Sequence, residues 1–225
     1  VVSIYVNPLQ FAPSEDLSRY PRDPGGDALQ CQQAGVDILF MPENLYPSGF
    51  CTQIQVSKIS ERWEGEQRPG HFAGVATVVA RLFGIVQSDF AVFGEKDFQQ
   101  LAVIQAMARD LCLGVEIVPG PLVRDQDGLA LSSRNVYLSP EQRQRALSLH
   151  RALLAMQTST AILSSERVDL GKNMIDCDKL DYLSIVDAQT LEPIASIDRV
   201  ARAICVGRYG STRLLDNMAI YPVSP

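Results

Sequence analysis

The chain has 225 residues, 46% hydrophobic and 20% charged, enough apolar material to bury a core in one domain or two. Its 20 Lys and Arg stand against 26 Asp and Glu, a net charge of −6 that argues against nucleic acid or an anionic membrane surface as partner. Five scattered cysteines without a C-x-x-C pair speak against a zinc or disulfide framework and for a reducing cytoplasm, and no apolar run approaches the ~20 residues of a membrane span.

The chain opens on VVSIYV, with neither Met nor a signal peptide. This β-branched run over residues 1–6 reads as a buried parallel strand, closed by Asn7-Pro8. A core strand at the very start leads us to expect that further sequence precedes it. Residues 27–34 have helical composition and end at Gly35, a suitable C-cap. VDILFM, residues 36–41, is a second short strand stopped by Pro42. The polar stretch 49–70 reads as an edge strand followed by a loop, and within it Arg62, Trp63 and Glu64 look exposed. GVATVVARLFGIV, residues 74–86, predicts a largely buried helix. FAVF, residues 90–93, is a strand, residues 98–111 carry helical spacing, and residues 115–118 return as a strand. Strands alternating with helices in this way predict βαβ crossovers and a parallel sheet. Ligands bind beyond the carboxyl ends of such strands, which puts residues 7–10 and 94–100 on the ligand side.

After Pro119-Gly120-Pro121 the pattern changes. A hairpin-like stretch at 124–128 leads into LALSSRN, and Ser139-Pro140-Glu141 caps a helix over residues 140–156. Strand-like segments follow at 182–187, 200–206 and 212–220. The chain therefore divides into an α/β domain over residues 1–121 and a smaller α+β domain over residues 122–225.

Four strings carry candidate chemistry. In FGEKDFQQ, a lysine beside a glycine just past a strand end can place its ammonium among phosphate oxygens. Composition alone favours the plainer reading, a solvated turn in which Glu95 and Asp97 complement a helix N-terminus. In LALSSRN, two hydroxyls and a guanidinium suit a triphosphate, although such a loop is more often ordinary surface. In VNPLQF, Asn7 and Gln10 could hydrogen-bond the hydroxyl and carboxylate groups of a small acid, or simply end a strand. In RPGHFAGV, His71 is one of two histidines and fits a structural role better than a catalytic one. His150, inside the predicted helix 140–156, reads as a packing or surface residue. No metal-ligand cluster is present.

Taken together and in order, VNPLQF, EDLSRYPR, AGVDILFMP, RPGHFAGV, FGEKDFQQL, GLALSSRN, DYLSIVD and STRLLDNMAI resemble the pantothenate synthetase family across essentially the whole chain. The resemblance implies a Rossmann-like parallel-sheet nucleotidyltransferase domain with a smaller α+β C-terminal lid domain. It implies a ligase that joins pantoate to β-alanine through a pantoyl adenylate, releasing AMP and pyrophosphate. ATP would enter with Mg²⁺, no tightly bound cofactor is implied, and the family usually forms homodimers. Residue by residue, Lys96 matches the lysine that holds the ATP phosphates, with Gly94, Glu95 and Asp97 in its loop and Val123 against adenosine. Leu131, Ser132, Ser133 and Arg134 resemble the phosphate loop of the lid, with both serines in the catalytic set. Gln10 and Gln100 match the pantoate-holding glutamines, and Arg68 and His71 lie in what resembles a flap over the site.

The resemblance also implies a missing piece. Family members carry a first strand and an H-x-G-H helix ahead of the strand that starts here. This chain alone is therefore expected to be inactive, with apolar surface uncovered at Val2, Ile4 and Val6. Two rival functions remain open: a related nucleotidyltransferase acting on another small acid, and a non-catalytic nucleotide-binding or dimerisation module. Some family members are fused to a downstream cytidylate kinase.

Overall fold

The computed structural model describes residues 1–13 and 15–223. They form two compact units, Val1–Phe93 with Gln100–Val118, and Gly94–Gln99 with the chain from Pro119 onward. The strip Gly94–Gln99, which the sequence pattern placed in the first domain, thus groups with the second.

In the first unit, β1 (Val2–Ser3) pairs in parallel with β2 (Leu39–Phe40) across the connecting helix α1 (Pro24–Gln33). Asp23 caps α1 by accepting a hydrogen bond from Gly26 N at 3.0 Å, and Gly35 turns the chain out at φ 73°. The ladder spans two residues of each strand, shorter than the apolar runs 1–6 and 36–41 predicted. β-branched residues favour extended backbone, but a strand also needs a partner opposite each residue. Val2, Ile4 and Val6 are half-buried.

No strand forms between residues 49 and 70. Ile54 N there is satisfied by the Thr77 hydroxyl at 2.9 Å instead of by a ladder. The stretch ends in a short helix, α2 (Glu64–Gln67), whose first residue is buried at 4% exposure, so the loop expected to be exposed contains a buried acid. Next come α3 (His71–Val86), β3 (Phe90–Gly94), α4 (Phe98–Asp110) and β4 (Glu116–Gly120). Among the described residues β3 and β4 form a second two-stranded sheet separate from β1–β2, where the pattern predicted one continuous sheet. Val75, Ala76, Val78 and Val79 of α3 pack with Leu45 and with Ile104 and Met107 of α4.

One glycine in α3 serves packing. A helix-interior glycine costs about 1 kcal/mol relative to alanine. At Gly74, however, an added Cβ would lie 2.2 Å from Leu9 O and 2.7 Å from Gln10 N. The helix therefore touches the 3₁₀ turn Pro8–Gln10 backbone to backbone, and only glycine permits it.

The second unit holds α5 (Pro140–Thr158), α6 (Ser164–Met174), β5 (Lys179–Asp187), β6 (Ala201–Tyr209) and β7 (Thr212–Ile220). The three strands form an antiparallel sheet in the order β5-β6-β7. α5 begins with a capping box: Ser139 Oγ accepts from Gln142 N at 3.1 Å, and Gln142 Oε1 accepts from Ser139 N at 3.0 Å. Its stripe Ala146, Leu149, Leu153 and Met156 packs on Ala201, Ala203 and Cys205 of β6. α6 was not foreseen, because its buried residues are Ser164, Arg167 and Gly171, spaced as a helix face but not apolar. Arg167 is 1% exposed and donates to Ala161 O at 2.7 Å and to Met156 O at 2.9 Å. Its cation thus meets the carbonyl end of α5, where the helix dipole favours positive charge. No helix among the described residues is long and apolar enough to cross a membrane.

Candidate functional site

In the first unit the residues around Gln10 are held by polar contacts on several sides. Asn7, 2% exposed, donates from Nδ2 to Gly74 O at 3.1 Å, and its Oδ1 accepts from Leu9 N at 3.3 Å and from the Tyr46 hydroxyl at 2.7 Å. A carbonyl on one side and an amide N–H on the other leave Asn7 a single amide orientation. Its Nδ2 also reaches Gln10 Oε1 at 3.1 Å, so Gln10 must turn its oxygen inward. The Gln10 Nε2 hydrogens, with no partner among the described residues, are then left as donors. Asn7, considered from sequence as a ligand contact, is engaged within the protein on both ends of its amide.

The Gln10 backbone is held as well. Arg68 forms a two-pronged pair with Glu15, both contacts at 2.8 Å, and reaches Gln10 O at 3.4 Å. His71, the first residue of α3 and 7% exposed, has Nδ1 2.9 Å from Gln10 O and Nε2 3.0 Å from Arg68 Nη1. A carbonyl can only accept and a guanidinium can only donate, so the imidazole carries its proton on Nδ1 and is neutral. Burial, and then the Arg68 charge, push its pKa down to about 4. Burial alone would raise the Glu15 carboxyl, but the Arg68 hydrogen bonds and charge outweigh it and leave the group lowered. The two residues expected on a flap thus form, with Glu15, a network fastened to the Gln10 carbonyl.

This network has a pH signature. Between the ordinary value of 6.5 and about 4, the unfolded chain binds a proton at His71 that the folded chain refuses. Stability therefore rises with pH across that window and is lost as pH falls through it, by up to about 3 kcal/mol at ~1.4 kcal/mol per unit. His150, also lowered by burial, adds a contribution of the same sign. Comparison with His71→Gln isolates the His71 part: the variant should lose less of its melting temperature between about pH 7 and about pH 5 than the parent. Parallel slopes in calorimetry would show that His71 is not buried neutral.

In the second unit, Lys96 lies in the 3₁₀ turn Glu95–Asp97 just after β3, its side chain 20% exposed and its Nζ 3.3 Å from Asp97 Oδ1. Gly94 precedes it on the exposed end of the strand. The turn is held by residues that motif reading did not single out. Asn217 of β7 donates from Nδ2 to Glu95 O and to Lys96 O, each at 2.9 Å, and Arg202 of β6 donates to Glu95 Oε2 at 2.9 Å. A faint trace lay in the polar pair Asp216-Asn217, set between Leu214-Leu215 and Met218-Ala219 in β7.

The Ser-Ser-Arg loop is also locally ordered. Leu131 N bonds to Val123 O at 3.0 Å, and Ser132 Oγ accepts from Arg134 N at 3.3 Å at the head of the 3₁₀ turn Ser133–Tyr137. That bond uses a lone pair of the hydroxyl and leaves its hydrogen to donate. Arg124, at the base of the hairpin, forms a two-pronged pair with the buried Asp216 at 2.7 and 2.9 Å. Val123 and Leu131 are exposed at 60% and 46%, and Ser133 is exposed. Gln100 is half-buried on α4, in the first unit with Gln10.

The sequence model for pantoate-beta-alanine ligase matches residues 1–219. A pantothenate synthetase of Thermus thermophilus is 52% identical over 230 residues, covering 99% of this chain and 83% of the relative. A pantothenate synthetase of Rhizorhabdus wittichii is 51% identical, covering 99% of this chain and 81% of the relative. The crystal structure of a Thermus thermophilus pantothenate synthetase superposes with a TM-score of 0.94 over 98% of this chain and 83% of that one, at 51% identity. A pantoate-beta-alanine ligase of Francisella tularensis, solved with beta-gamma ATP and beta-alanine, gives a TM-score of 0.78 at 30% identity, over 96% of this chain and 77% of that one.

Proposed function

The chain belongs to the pantoate-beta-alanine ligase family, and from that premise we infer how its residues carry out the ATP-dependent condensation of pantoate with β-alanine. A carboxylate is a poor acyl donor, so the reaction must first give it a leaving group. In this reading the pantoate carboxylate attacks the α-phosphorus of ATP, the bond to pyrophosphate breaks, and pantoyl adenylate forms. The β-alanine amine then attacks the acyl carbon, AMP leaves with the bonding electrons, and the amine proton passes to solvent.

Gln10 and Gln100 hold pantoate. The observation that carries this is the amide orientation of Gln10, whose oxygen is taken by Asn7 so that its NH₂ is offered as a donor. A neutral donor suits the pantoate oxygens without forming a tight ion pair that would quench the attacking carboxylate. Lys96, in its loop with Gly94, Glu95 and Asp97, serves the α-phosphorus end, where negative charge spreads as the new bond forms. Ser132, Ser133 and Arg134 hold the departing pyrophosphate, and Val123 and Leu131 lie against the adenosine. Local cations are needed for this in a protein of net charge −6. The nucleotide enters as its Mg²⁺ complex, the cation being part of the substrate and held by phosphate oxygens.

The test uses the protein expressed from the intact gene, with pantoate labelled by heavy oxygen in its carboxylate. One labelled oxygen should appear in AMP for each pantothenate formed. Label in inorganic phosphate, with ADP as the product, would replace the adenylate with an acyl phosphate and sink this reading. Replacing pantoate by other small hydroxy acids in a pyrophosphate-release assay tests the substrate assignment to the Gln10 and Gln100 pair.

A further inference from the structure

We propose that Asn217, oriented by Arg202, is the positioning residue that sets where Lys96 stands. The proposal deepens the assignment of Lys96 to the phosphates and rests on it.

The Asn217 carboxamide has each of its polar atoms engaged. Nδ2 carries two hydrogens, and they meet two consecutive carbonyls, Glu95 O and Lys96 O, both at 2.9 Å. Oδ1 accepts from Arg202 Nε at 2.7 Å. The side chain is 4% exposed, so water does not compete for these bonds. Arg202 is in turn fixed by Glu95 Oε2 at 2.9 Å and lies 4.3 Å from the centre of the Phe98 ring. Register explains how the two meet: Asn217 stands opposite Ile204 and Arg202 opposite Ala219, so both project from the same face of the β6–β7 ladder.

The turn they hold needs such support. A 3₁₀ turn the length of Glu95–Asp97 has poorer hydrogen-bond geometry than an α-helix. A glycine precedes it, and the Lys96–Asp97 pair fixes the head group and not the backbone. Two carbonyls on either side of the Lys96 Cα, drawn to one buried amide, hold the origin of a side chain that otherwise moves about four rotatable bonds. In adenylyl transfer the protein works mainly by placement, and a misplacement of about 1 Å can cost about 100-fold in rate. Asn217 touches no reacting atom in this account. It acts through Lys96.

The experiment separates the half-reactions in the protein expressed from the intact gene. Asn217→Ala should slow pyrophosphate release from ATP and pantoate by about 10- to 100-fold. The conversion of supplied pantoyl adenylate and β-alanine to pantothenate should stay within about twofold, as should KM for β-alanine. Arg202→Lys keeps the charge and loses the planar fork, and its rate should fall between parent and Asn217→Ala. If Asn217→Ala does not fold, Arg202→Lys alone decides. Parental pyrophosphate release in the folded variant, or equal slowing of both half-reactions, overturns the proposal. Lys96→Ala is measured beside them. If it is silent, the lysine assignment fails and takes this proposal with it. If it is crippled while Asn217→Ala runs at the parental rate, only the positioning role fails.

Discussion

Lys96→Ala is expected to slow adenylate formation by about 10²–10³-fold, the usual cost of removing one well-placed charge from a transition state that spreads negative charge. Stability should hardly change. The side chain is 20% exposed, and its visible partner is the neighbouring Asp97 at 3.3 Å. A pair of that kind is worth no more than about 1 kcal/mol, a few degrees in melting temperature for a chain of this size. The two halves of the expectation are read separately, the first by pyrophosphate release in a single-turnover assay and the second by calorimetry. A variant that melts with the parent and still forms adenylate at a rate within about threefold of it would remove the lysine from the chemistry.

Gly74→Ala should do more damage than an alanine usually does. On an unconstrained helix the change would stabilise by about 0.4–1 kcal/mol. Here the new methyl meets Leu9 O at 2.2 Å, Leu9 C at 2.4 Å and Gln10 N at 2.7 Å, all backbone atoms without rotamers in which to retreat. Either the turn Pro8–Gln10 moves off the helix or the helix shifts, and Asn7 then loses its bond to Gly74 O. The overpacking should cost about 1–3 kcal/mol. The displaced Gln10 should lower kcat/KM for pantoate by about 100-fold, since the motion required is on the order of 1 Å. The affinity for ATP, measured alone by calorimetry, should stay near the parental value. A stable, fully active Gly74→Ala protein would mean that helix and turn do not touch as described.

These expectations divide along the line between local and long-range information. Helix ends were legible where the signal was local, at Ser139 before α5 and at the left-handed glycine at position 35 after α1, whereas the Asp23 cap, which starts α1 at Pro24 and not at residue 27, went unread. The third strand of the C-terminal sheet was read at residues 212–220, where the structure places β7. α6 was missed because its buried residues are Ser164, Arg167 and Gly171, with a half-buried Val168 beside them, and hydrophobic periodicity does not register so polar a face. Gly171 is small because an added Cβ would lie 2.6 Å from Met156 Sδ, a neighbour no local window contains.

The sequence by itself determined where most of the helices and the C-terminal strands lie along the chain, and which residue types could meet a phosphate or a small acid. Those follow from backbone sterics, turn chemistry and side-chain functional groups, which act over short stretches of chain. Only the tertiary structure decided what holds those groups in place. Asn217 lies 122 residues from the Glu95 carbonyl it binds, and His71 lies 61 residues from the Gln10 carbonyl. A buried polar atom must find a partner wherever the fold supplies one, and that choice depends on the packing of the finished molecule.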